Sequence, residues 1–215
     1  FSATYFGGEK ENWDGINSTQ PTGESQTAAW NTLMAMSYDD SDPLNIVDLS
    51  MNEQYQKVQG NNLDGSNNVG YEDYLDIDNY INYILLNQWA GNNDWVSHNW
   101  YAGRMRGPDS TGFKSYSWDA EWTVHMRSGL NDNTVNDTTT SNYLLKPYNY
   151  LRNNAEFQLR YADHIHKMMF NGGVLTPEYT GALYQSLADF VEPAIKAEAA
   201  RWGDVRNHEP PYDQE

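Results

Sequence analysis

The chain has 215 residues, a length that suits one domain or two small lobes and is ample for a hydrophobic core. Its 30 acidic and 13 basic side chains give a formal charge of -17, which argues against a nucleic-acid or anionic-membrane partner, since both demand a basic surface. The chain has no cysteine, which excludes disulfides, thiolate nucleophiles and Cys-ligated zinc or iron–sulfur sites; its 14% aromatic content, with 16 Tyr and 8 Trp, excludes a disordered acidic tail and predicts a core built largely of rings.

The opening Phe1-Ser2-Ala3-Thr4-Tyr5-Phe6 lacks an initiator Met and a signal-peptide pattern, so the chain reads as a piece of a longer protein. Residues 3–6 are β-prone and break at Gly7-Gly8, which predicts the end of a strand whose partners lie upstream. Trp30, Leu33 and Met34 recur at helical spacing and predict a helix over 24–37. Asp42 as N-cap with Pro43 at the first helical position predicts a second helix reaching about Gln59. Residues 60–70 are rich in Asn and Gly, lack the register of an EF-hand and read as a loop. Ile77 to Ala90, capped by Asp76 and terminated by Gly91, carries Ile77, Ile81, Ile84 and Leu85 on one face and is the strongest helix in the first half. Two β-prone runs, 100–105 and 113–118, flank Gly107-Pro108-Asp109-Ser110-Thr111-Gly112 and predict a hairpin. Residues 131–141 form a polar loop. Phe157, Tyr161, Ile165 and Met168 mark a further helix ending at Gly172-Gly173, and Thr176-Pro177-Glu178 opens the last, running to Trp202 past Pro193. No stretch approaches the ~20 apolar residues of a membrane span.

Charge and tryptophan are both unevenly spread. Residues 1–103 hold half of the acids but only two bases, Lys10 and Lys57. Five of the eight tryptophans, at 89, 95, 100, 118 and 122, are interleaved with Asp94, His98, Asn99, Asp119, Glu121 and His125. A packed aromatic core accounts for many of these. The Asp94 to Asn99 spacing, however, matches Asp-x-x-x-x-Asn, in which a kinase catalytic loop sets a base beside the substrate hydroxyl and an amide oxygen on Mg²⁺. A hairpin then returns the chain to Asp119, which can supply a second metal-binding carboxylate. His164 and His166, two apart on a helix, do not share a face well enough to pair on a metal.

The runs Tyr74-Leu75-Asp76-Ile77-Asp78-Asn79-Tyr80-Ile81-Asn82-Tyr83, Leu86 to Trp95, His98-Asn99-Trp100-Tyr101 and Trp118-Asp119-Ala120-Glu121-Trp122 closely resemble the spore-coat CotH kinase family. So do Tyr5-Phe6-Gly7-Gly8, Phe170 to Pro177 and Glu198 to Asp204. The resemblance implies an α+β, atypical protein-kinase-like fold, with a mostly helical C-terminal lobe and a β-hairpin carrying the metal-binding Asp. Residues 1–23 would be the remnant of an N-terminal lobe and 24–215 the catalytic lobe. The implied activity is transfer of the ATP γ-phosphate, with Mg²⁺ or Mn²⁺, to Ser or Thr of a protein substrate, in a protein exported to the bacterial surface or beyond. Carried over by position, Asp94 would be the catalytic base and Asn99 and Asp119 metal ligands. Glu121 would join them if the strand continued past Asp119, and Trp118 would wall the nucleotide pocket or pack in the core. The chain departs from typical kinases in having Asn92-Asn93 before Asp94 and Ala120-Glu121 after Asp119, and it shows neither a Gly-rich phosphate loop nor a clear phosphate-binding Lys. Two alternatives accompany this reading: an inactive kinase-like binding module, and a glycoside hydrolase using the carboxylates of Trp-Asp-Ala-Glu-Trp.

Overall fold

The computed structural model describes residues 1–17, 24–37, 48–95, 99–123, 135 and 144–202. The chain divides into two compact units, residues 1–165 and 166–215. The first is α+β, with helices α1 (Ser2–Phe6), α2 (Glu24–Ser37), α3 (Asn52–Lys57), α4 (Ile77–Trp89), α5 (Lys146–Leu151) and α6 (Ala155–Met169), the last belonging to it through Ile165. Its strands β1 (Trp13–Asn17), β2 (Trp100–Met105) and β3 (Lys114–Ser117) form one antiparallel sheet in the order β1-β2-β3. The second unit holds a turn through Asn171 and Gly172, both at positive φ, and helix α7 (Pro177–Trp202), which Thr176 and Pro177 open as the sequence predicts. No helix among the described residues is long and apolar enough to cross a membrane.

Helix α4 organises the first unit. Asp76 caps it by accepting the Asn79 N–H at 2.9 Å, and the same carboxylate pairs with Lys114 on β3. Its apolar face, with Ile77, Tyr80, Ile81, Ile84 and Leu85, is almost wholly buried, each large side chain contributing roughly 1.5–3 kcal/mol. The buried Tyr80 hydroxyl donates to the Leu144 carbonyl at 2.5 Å and accepts the Tyr148 N–H at 3.2 Å, which fastens α4 to α5; burial raises its pKa. On the sheet side, Asn79 Oδ1 accepts the Ser115 N–H at 2.6 Å. The aromatic core expected from composition is present: Trp30 of α2 stacks on Trp100 at 5.8 Å and meets the edge of Phe113 at 5.0 Å.

Three elements differ from the sequence expectations. Residues 2–6 form a helix rather than a strand end. One helical turn brings Phe1 and Tyr5 together at 4.5 Å and sets Phe1 and Phe6 against Tyr116 of β3, so tertiary packing overrides the β propensity of the run. The strand of this region is β1, whose Asp14 and Ile16 are buried opposite Arg104 and Ala102. The second predicted helix shortens to α3. Its expected start at Asp42-Pro43 lies outside the described residues, and Asp48 makes a turn through its side chain to the Ser50 N–H at 2.7 Å. The polar segment 131–141 falls outside the described residues apart from Val135.

Helix α6 is tied to α4 by an ionic cluster. Asp78 Oδ1 accepts from Arg160 Nε at 2.7 Å and meets His164 Nε2 at 2.9 Å. The hydrogen bond from Arg160 is the main cause of the lowered Asp78 pKa, with His164 adding to it. A carboxyl whose folded pKa lies below its ordinary 3.8 contributes stability above that value and loses it as pH falls through the lowered folded pKa. In acid titrations followed by circular dichroism, the parent chain is therefore expected to lose more stability below pH 4 than Asp78→Asn. Equal losses in the two would remove Asp78 from the acid response.

Candidate active site

Two short connections meet at the Trp100 end of the hairpin: the segment after α4, carrying Asp94 and Asn99, and the segment after β3, carrying Asp119. Asn99 stands between the other two. Its Nδ2 donates to Asp94 Oδ2 at 2.6 Å and to the Asp119 carbonyl at 3.3 Å. The Asn93 N–H donates to the Trp122 carbonyl at 3.3 Å, a second link between the same segments. Asn99 and Asp119 have φ of 56° and 50°. Side chains other than glycine rarely adopt this left-handed conformation, and Asn and Asp are the types that tolerate it best. Packing on both sides of the connection holds it there, since Trp95 and Trp100 are buried.

The five site residues named from sequence have different surroundings. Asp94 and Asn99 are half-buried and in contact, while Asp119 is exposed and joined to Asn99 through its main chain. Glu121 is exposed, and the strand that would align it with Asp119 ends at Ser117, so strand alternation does not set the two carboxylates on a common face. Trp118 is 59% exposed and meets Tyr101 edge-on at 5.4 Å, which overturns the core alternative for this ring. His98 and His125 lie outside the described residues. Lys10 pairs with Glu11 at 3.6 Å on the surface, and Lys57 lies over the Tyr71 ring at 5.6 Å. A cavity of about 720 Å³ beside the opposite end of the hairpin, lined by Asp14, Tyr74, Arg104 and Arg106 among others, includes none of these site residues.

Sequence reasoning missed the support beneath Asp94. Asn87 Nδ2 donates to the Tyr83 carbonyl at 2.9 Å, Asn92 Nδ2 donates to Asn87 Oδ1 at 2.9 Å, and Asn92 Oδ1 accepts the Asp94 N–H at 3.0 Å. Both asparagines are 2% exposed. The available signal was Asn87 on the apolar side of an otherwise hydrophobic helix face, where an amide needs a buried partner.

The donor set suits a hard divalent cation. Asn99 spends its amide nitrogen on Asp94 and Asp119, so its oxygen is the atom that could ligate a cation, and Asp119 has an exposed carboxylate that could do the same. Among the described residues no group of three or more His, Cys, Asp or Glu forms a protein-only metal cage. Mg²⁺ does not require one, since it commonly takes one or two protein oxygens and completes its shell with water and phosphate.

No curated protein and no solved structure matches the chain. The family model described as CotH kinase protein matches residues 22–214, which takes in every site residue named above. The protein therefore belongs to the CotH kinase family.

Proposed function

We propose that this chain carries the catalytic centre of an ATP-dependent protein kinase acting on Ser or Thr, with Mg²⁺ or Mn²⁺. The observation that carries this reading is the contact of Asn99 with both Asp94 and the Asp119 main chain. A glycosidase built on Asp119 and Glu121 leaves that contact without a role. In the proposed reaction the acceptor oxygen bonds to the γ-phosphorus, the bridging oxygen departs with ADP, and the hydroxyl proton passes to Asp94. Asn99 fixes one oxygen of that carboxylate and so limits the directions from which it can meet a hydroxyl. Asn99 and Asp119 would hold the cation, which when bound would offset the charge of the triphosphate. Trp118, an exposed ring next to Asp119, is available to stack on a nucleotide base. Glu121 is a further oxygen donor on the same segment. Residues 1–23 as part of an N-terminal lobe, a longer parent protein and export from a bacterial cell complete the proposal.

Titration calorimetry tests the nucleotide half of this reading directly. ATP is expected to bind in the presence of Mg²⁺ or Mn²⁺, and Asp119→Ala to weaken that binding at least tenfold while leaving the folded circular dichroism spectrum unchanged. Equal ATP affinity in the parent and in Asp119→Ala, with and without cation, would remove Asp119 from the metal site.

A further inference from the structure

We propose that Asn87 and Asn92 are positioning residues that set Asp94: a buried amide on α4 holds a buried amide two residues before Asp94, at the first position of the pair that is His-Arg in typical kinases. The inference deepens the kinase reading and rests on it for its catalytic arm. The chain of contacts is continuous from helix to loop: Tyr83 carbonyl, Asn87 amide, Asn92 amide, Asp94 N–H. A second bond reinforces it, since the Asn92 N–H donates to the Asn87 carbonyl at 3.0 Å. Each amide uses its nitrogen toward α4 and its oxygen away from it, so the relay has a direction, and flipping either amide would set like groups against each other. With both side chains 2% exposed, water cannot easily replace a missing partner. Asp94 is held from two sides, its main chain by Asn92 and its carboxylate by Asn99.

The test uses the whole chain with two readouts. The first is hydrogen exchange of the Asp94 amide by NMR. Asn92→Ala is expected to raise its exchange rate at least tenfold, and Asn92→Ser, whose hydroxyl can accept the same N–H, to restore most of the protection. The second is phosphate transfer from ATP and Mg²⁺ to a Ser/Thr peptide library. Asn92→Ala is expected to lower kcat about 10- to 100-fold with the KM for ATP unchanged. In an Asp94→Asn background it should lower the residual rate no further, because a residue acting only through Asp94 has nothing left to position. Unchanged exchange in Asn92→Ala overturns the relay. An equal loss of rate in the Asp94→Asn background overturns the positioning role and leaves a general structural one. If the parent chain transfers no phosphate, the kinase reading fails and the exchange readout alone decides whether the amides hold Asp94.

Discussion

Asp94→Asn should lower phosphate transfer about 100- to 10,000-fold while ATP still binds, the loss expected when a single acid–base group is removed from a transfer reaction. The substitution is informative because it keeps shape. An asparagine at this position still offers an oxygen to the Asn99 Nδ2, which lies 2.6 Å from Asp94 Oδ2, and keeps the main-chain N–H that Asn92 accepts at 3.0 Å. What disappears is the capacity to take the hydroxyl proton. Steady-state rates and ATP calorimetry on the same preparation separate the two effects. A variant with parental turnover would show that Asp94 is not the base, and one that had lost ATP binding would show that its charge serves the nucleotide instead.

Gly112→Ala is expected to be strongly destabilising. Gly112 has a φ of 83°, and an added Cβ would lie 2.6 Å from the main-chain N and C of Leu75 and 2.7 Å from the Asp76 nitrogen. Those atoms cannot swing away as a side-chain tip can, because Phe113 donates to the Tyr74 carbonyl at 2.9 Å and accepts the Asp76 N–H at 3.1 Å. Conformational strain of about 1–3 kcal/mol and overpacking of a similar size add to about 2–6 kcal/mol, on the order of a 10 °C fall in Tm. Gly107→Ala is the control. Its φ is 96°, but a Cβ there meets nothing within 4 Å, so only the strain remains. Equal falls in Tm for the two variants would mean that the close approach of the hairpin to the start of α4 carries no weight.

The parts of this fold that were legible in the sequence are those in which local signals and packing agree. Helix α2 occupies the predicted 24–37, and α4 follows its Asp76 cap and Gly91 stop to within a residue. The hairpin was announced by its Gly-Pro-Asp turn between two β-prone runs. Other elements are fixed by distant partners. Residues 2–6 are helical because Tyr116, more than a hundred positions away, receives Phe1 and Phe6. Strand β1 hid because one of its two buried residues is Asp14, whose burial depends on the ion pair with Arg106 at 2.6 Å. Helix α5, only six residues long, has too short a pattern to stand out.

The site was legible as residue types and spacing but not as contacts. Asp-x-x-x-x-Asn with a later Asp named three candidates that the fold brings together, and the contact of Asn99 with both partners depends on the left-handed turns at Asn99 and Asp119, which spacing does not encode. The Asn87–Asn92 pair was hidden for a different reason. In a chain so rich in asparagine, two neutral amides carry no charge or periodicity to mark them, and only their burial separates them from loop residues.

The most direct test of the account is transfer of radiolabel from γ-labelled ATP to a Ser/Thr acceptor, in the presence of Mg²⁺ or Mn²⁺, by the protein. The parent should incorporate label on Ser or Thr, and Asp94→Ala and Asp119→Ala should each fall to background while remaining folded. Incorporation that persists in both variants, or a parent that neither binds ATP nor transfers phosphate, would contradict it.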